Sequence, residues 1–398
     1  QDQDKIAALG LCYTLIKVCF IHGAKMTVGL MGLRMMRLTL KYGHSDWSCY
    51  AFAVYSGVES GIVRNLQAAK RFYYLTDTLI KECQSKEIKT KAMVTADGLT
   101  TLWCQAMDVG IESLKEGYTI GMECGETHFG LKGGAFLTHM QMFRSVDLSQ
   151  LESDARILCD QMEDFNLDMM YELTAPRRQM ILNLMGYADD PVKLTGDVID
   201  EDDFETRFSG IRNVLGEKVF QLVRLELALH FESWNRMEEI LPKLVDQRDE
   251  IFRGFFIIQG SVFVEGLVSY KLFRYTGNKK YKKHALWCTK RLEGWVKDGV
   301  FNCRPISLLL CAEKEVMAGD KKKNAAMNLY EAAIKCARQM EVLQWEAMFN
   351  ERAFQVLSQV YNDVNAGIPY LEEAKKLYVQ WGAHAKDDWI VEAYGRHL

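Results

Sequence analysis

Apolar residues recur at three- and four-residue spacing along nearly the whole chain, which is the period of one helix face and not of a strand. The pattern is clearest over residues 312–386. There Ala326, Tyr330, Ala333, Ala337 and Met340 form one stripe, and Ala347, Asn350, Phe354, Leu357 and Tyr361 form the next. Leu371, Ala374, Tyr378 and Trp381 form a third. The breaks between them carry turn residues, Ala318-Gly319-Asp320 and the stretch 365–369, which holds Gly367 and Pro369.

Upstream the chain reads as helix after helix. Spans 4–22 and 25–41 pair around Gly23, and spans 47–60 and 67–81 turn at 61–65. Spans 86–105 and 109–123 make a third pair. Spans 126–144 and 148–165 make a fourth, with Gly125 as helix stop and Asp147 as cap. Later, 217–231 and 234–247 turn at Glu232-Ser233, and 251–275 and 279–297 turn around Gly277. Phe255, Phe256, Ile258, Val262, Phe263 and Leu267 leave the helix 251–275 little polar face, so burial on several sides is predicted. No strand is predicted.

One stretch interrupts the series. Residues 187–205 carry eight acidic side chains against Lys193, together with Pro191 and Gly196. This is the longest non-helical reading, and it divides the chain into two helical-hairpin arrays, 1–186 and 206–398. The stretch lacks the alternating ligands and glycine of an EF-hand. Asp200 to Asp203 are expected instead to cap and charge-match the helix that holds Phe204 and Phe208.

A hairpin cannot bury its apolar face alone, so neighbours must stack. The small–aromatic–small order of Ala326, Tyr330 and Ala333 after a Gly-Asp turn resembles a tetratricopeptide unit of about 34 residues. The expected fold is therefore all-α, a solenoid of stacked antiparallel helical hairpins forming a tetratricopeptide-like superhelix. In residues 370–386, Tyr378, Trp381, Gly382, Ala383, Ala385 and Lys386 spell Tyr-x-x-Trp-Gly-Ala-x-Ala-Lys. That string resembles the last repeat of a helical region in multi-sensor histidine kinases and serine/threonine kinases that carry a STAND-type AAA ATPase module. Leu114, Gly117 and Tyr118 are similar to that region, as are Gly121 and Gly125. So are Gln179, Leu182, Asn183, Leu184 and Gly186, then Asp190-Pro191, then Asn350, Glu351 and Ala353. The chain departs after Lys386, where Asp387-Asp388 replaces an apolar continuation. The resemblance implies a region that connects a nucleotide switch to an output domain, or holds a partner. The ATPase and kinase motifs themselves are not in this sequence.

Composition narrows the classes. The 398 residues are 48% hydrophobic and 26% charged, an ordinary globular balance, and only five are proline, which suits long helices. Net charge is −4 with no broad basic face, so no nucleic acid partner is expected. Eleven scattered cysteines without a Cys-x-x-Cys pair fit a reducing, cytoplasmic setting and no structural disulfide. The apolar windows 6–21 and 251–268 are too short or too charged for a membrane span. No signal peptide is read, and a chain that starts at Gln1 fits a fragment or a processed product.

Catalytic chemistry finds no pattern: there is no phosphate loop, nucleophile elbow or zinc-protease helix. Gly130, Gly133 and Gly134 sit mid-helix and are expected to allow close helix packing. His284 and Cys288 lie one turn apart without further ligands nearby in sequence, so no metal is assigned. His128 and His139 share one helix eleven residues apart. With Arg144 they could face a groove and bind an anion, and Trp103 could serve as a platform there. Those four residues are the candidate binding site on the concave surface. The expected function is a non-catalytic binding or scaffold module without a cofactor, the regulatory or sensor region of an ATPase-coupled signalling protein. Its partner is a protein or peptide, other domains of the same polypeptide included. The alternative is a small-molecule sensor with its pocket in the groove. Trp381 is expected to pack near Phe354 and Leu357 and to seal the exposed end of the stack.

Overall fold

The computed structural model describes residues 3–21, 25–208, 213–246, 248–252 and 254–397. Among these residues there is no strand, and no helix is long and apolar enough to cross a membrane. The first half holds α1 (Gln3–Ile21), α2 (Lys25–Tyr42), α3 (Trp47–Val58), α4 (Leu66–Glu82) and α5 (Lys86–Ala96). The one-turn α6 (Leu102–Cys104) follows, then α7 (Met107–Cys124), α8 (Thr127–Arg144), α9 (Leu148–Asp164) and α10 (Asp168–Met185). The second half holds α11 (Glu201–Arg207), α12 (Val214–His230), α13 (Trp234–Val245), α14 (Arg248–Ile251), α15 (Ile257–Thr276) and α16 (Lys279–Lys297). It closes with α17 (Arg304–Val316), α18 (Lys323–Gln339), α19 (Leu343–Gln359), α20 (Val364–Trp381) and α21 (His384–Tyr394).

Chain neighbours pack as hairpins: α1 on α2, α7 on α8, α15 on α16, α17 on α18 and α19 on α20. The ends follow local chemistry. Asp147 accepts from the amides of Ser149 and Gln150, and Asp200 from those of Asp202 and Asp203. Gly125 and Gly382 end α7 and α20 in the left-handed region, at φ +83° and +91°. Small residues set the closest approach, since a Cβ on Gly121 of α7 would lie 2.9 Å from the Gly130 Cα of α8.

Several boundaries differ from the sequence reading. The Gly23 turn lies outside the described residues. The span 251–275 is not one helix, because α14 ends at Ile251, Gly254 takes φ +89° and α15 starts only at Ile257. From there every residue to Leu272 is buried, as its pattern predicts. Residues 365–369 are not a break: Asp363 caps α20 by accepting from the Ala366 amide, so Gly367 and Pro369 fall inside the helix. The acidic stretch is non-helical only to Asp200. It is clamped onto α10, where Asn183 Nδ2 donates to the carbonyls of Pro191 and Lys193 and Gln179 Oε1 accepts from the Val198 amide. Gln179 and Asn183 therefore work as a loop clamp.

The largest difference is at the C-terminus. Trp381 is fully buried, but its Nε1 donates to the Val146 carbonyl at 3.2 Å, and its ring lies 6.2 Å from that of His230. α21 packs on α10. Lys386, enclosed by this packing, donates to the His230 carbonyl and to Glu351. Gln344 donates to the Met142 carbonyl, and Asn302 to that of Leu102. The last hairpins thus lie against the middle of the chain, and Trp381 does not seal a free end. One cluster of buried apolar side chains runs from Leu9 to Tyr394.

Candidate functional site

Two helices of the first half change pitch at their ends. After Val58 and after Ala96 the backbone widens into π turns, Glu59–Val63 and Asp97–Thr101. Single π turns inside helices recur at functional sites. Each has a local cause here. Asp97 opens the second turn with a buried carboxylate that accepts from Thr101 Oγ1 and Ser113 Oγ, both at 2.5 Å, and from Tyr73 at 3.4 Å. Ser56 and Thr100 share a hydrogen bond of 2.9 Å that joins the two segments. Gly57 and Gly98 leave room for Leu99 and Phe136, whose atoms would lie 2.5 and 2.3 Å from an added Cβ.

Beside these turns is a cavity of about 180 Å³. Ile62 and Leu99 line it from the π segments, Val54 and Val58 from α3, Phe136 from α8 and Met170 from α10. The wall is mostly apolar. Its chargeable members are Lys17, His128 and Lys132, and among the described residues no carboxylate lines it. Lys132 stands 5.1 Å above the Phe129 ring centroid and 5.8 Å from that of Phe136. Burial, and then the neighbouring Lys17, push the Lys132 ammonium down to about 8. Burial also lowers His128 to about 4, with Lys132 and Lys17 acting in the same direction. The His128 Nδ1 is buried without a hydrogen-bond partner.

Of the four residues proposed from sequence, only His128 lines this cavity. His139 faces neither a groove nor solvent. It is 1% exposed, and its Nε2 lies 3.0 Å from the Leu173 carbonyl, where burial and Arg177 hold its pKa down at about 3. Arg144 bridges Asp108 at 2.7 Å and Glu341 at 2.8 Å, tying the end of α8 to α7 and to the turn between α18 and α19. Trp103 is buried, packs edge-on to Trp295 at 5.2 Å and donates to the Gly254 carbonyl. These three are ties between parts of the fold. Sequence reasoning missed Lys132, because glycines on either side drew it into a packing motif. The available signal was a lysine one turn from His128 on an otherwise apolar helix.

His284 and Cys288 gain a third neighbour, Glu265 of α15, with ligand atoms all within 4.8 Å of one another. The Glu265 Oε2 lies 3.0 Å from His284 Nε2, and Cys288 Sγ lies 3.6 Å from the same nitrogen. Both therefore compete for one imidazole nitrogen, which is not the arrangement of a nucleophile relay. Arg248 donates to Glu265 Oε2, and Ser261 to Oε1 at 2.7 Å. A metal ion there would have to displace the guanidinium. No family model and no curated protein matches the chain.

Proposed function

We propose that the chain is a non-catalytic helical-repeat module that senses a small molecule with an apolar body in the cavity beside the π turns. The observation that carries this reading is the cavity itself. It is concave, mostly apolar, formed by several helices and set beside two backbone irregularities. Its volume of about 180 Å³ is near that of an apolar cavity known to take benzene, about 150 Å³. In this reading the hairpins are repeats of a tetratricopeptide-like superhelix, and by its resemblance the chain is the sensor region of an ATPase-coupled signalling protein. Occupancy would stiffen the π turns and the helices that meet there.

Benzene should raise the melting temperature of the protein by mass action on the folded state. Ile62→Trp, at a half-buried wall position, should abolish the shift by filling the space. Equal shifts in both proteins, or none in either, would overturn the reading.

Binding of a protein partner is the second reading, and one observation favours it. The first hairpin exposes Leu11, Leu15, Met26, Leu30 and Leu40, each at least half exposed. Leu11 with Leu15, and Met26 with Leu30, each stand one turn apart, and exposed apolar side chains gathered in this way suit an interaction face. The occupant under this reading is a protein or peptide, other domains of the same polypeptide included.

A further inference from the structure

We infer that the ligand of this cavity is an aromatic carboxylate, its ring among the apolar wall residues and its carboxylate held by Lys132 with Lys17 beside it. The inference rests on the cavity being a ligand site and names what that site selects. Three observations converge on it. The body of the cavity suits a ring: Phe129, Phe136, Phe255 and Tyr50 line it, with Met169 and Met170, whose sulfurs adapt to aromatic faces. The volume takes a ring with a short side chain. The charge is one-sided, because Lys17, His128 and Lys132 line the wall and no described carboxylate does.

The three basic groups also act on one another, since Lys17 and Lys132 each lower His128 and Lys17 lowers Lys132. His128 and Lys132 lie one turn apart on α8, so they stand together on the wall. A neutral ligand leaves the repulsion between the Lys17 and Lys132 ammonium groups in place, and a cation adds to it. A single negative head relieves it, and in a low-dielectric cavity that gain is larger than at a surface. The wall offers ammonium groups and an imidazole, and among its described residues no guanidinium. It is thus suited to a compact carboxylate, not to the bidentate recognition at which arginine excels.

Binding of 3-phenylpropanoate, 3-phenylpropan-1-ol, 3-phenylpropylamine and 3-phenylpropyl phosphate by titration calorimetry tests this. The acid should bind about tenfold or more tighter than the alcohol, the gain expected of a charge-assisted contact. The amine should bind weakest. In Lys132→Met the acid should lose its advantage over the alcohol, while the benzene-induced melting shift persists and reports an intact, folded cavity. An alcohol that binds as well as the acid overturns the inference, as does an acid preference that survives Lys132→Met. Tighter binding of the phosphate overturns the choice of carboxylate. Absence of the benzene shift in the unmutated protein instead overturns the cavity as a ligand site.

Discussion

Asp97 opens the second π turn with its carboxylate enclosed, and burial pushes its pKa up to about 7 against the pull of three hydroxyl donors. An unfolded Asp titrates near 3.9, so between about pH 4 and 7 the folded chain holds a proton that the unfolded chain has released. Stability from this group is present below pH 4 and is lost as pH rises to 7. The buried histidines act in the opposite sense. His139 and His230 are lowered to about 3 and His128 to about 4, in each case first by burial. Their unfolded forms take up protons below about pH 6.5 while the folded forms do not, so their stability is present above that pH and is lost on acidification. From pH 4.5 to 6.5 three histidines oppose one carboxyl. Urea unfolding should therefore show stability rising with pH, on the order of 2 to 3 kcal/mol per unit at most. Asp97→Asn removes the opposing group and should steepen the rise by about 1.4 kcal/mol per unit. An identical slope in the variant would show that Asp97 titrates normally.

The hairpins are set by glycines in some places and merely tolerate them in others. Gly121 faces backbone, with Gly130 Cα at 2.9 Å and Gly130 N at 3.1 Å from an added Cβ. Alanine there gains helix propensity but forces α7 and α8 apart, and Gly121→Ala should destabilise by about 1 to 3 kcal/mol. Gly294, in α16, has open space at its Cβ position, and Gly294→Ala should stabilise by up to about 1 kcal/mol. Denaturant titration of both variants checks the contrast, and two changes of the same sign would refute it. At this scale most of the structure was legible. Helical periodicity located the hairpins, and Gly125, Asp147 and Asp200 marked ends that the backbone uses. The π turns were not legible: residues 61–65 read as an ordinary turn and Asp97–Thr101 as part of the helix 86–105. What accompanies them is the burial of Asp97 beside Ser113 of α7 and the Ser56–Thr100 contact, which depend on neighbouring helices. Lys132 was hidden for the same reason, since a cavity belongs to five or six helices together.

Across the whole molecule, periodicity gives the hairpins and says nothing of where the last ones return. Tyr378, Trp381 and Lys386 read as one closing repeat, but each has a partner that only the tertiary structure supplies. Tyr378 donates to Glu351 at 2.8 Å, Trp381 to Val146 and Lys386 to His230. Of these, Trp381 ties the second half to the first, while Tyr378 and Lys386 tie the last helices to α12 and α19. Trp381→Ala removes a side chain with no exposure and should cost about 3–5 kcal/mol. The loss should not stay local. Hydrogen exchange should quicken around Val146 and in α12 as well as in α20 and α21. Loosening confined to the C-terminal helices would contradict the packing described here.

The bond between Trp381 and Val146 spans 235 residues. During synthesis at about 5–20 residues per second, its two partners leave the ribosome on the order of 10 to 50 s apart. Helices α8 to α10 can form early, yet the apolar surface that Trp381 and α21 cover stays open until those residues too have been added. The nascent chain therefore passes through a long interval in which its middle is helical, sticky and unfinished, and in that interval a holding chaperone has the most to grip.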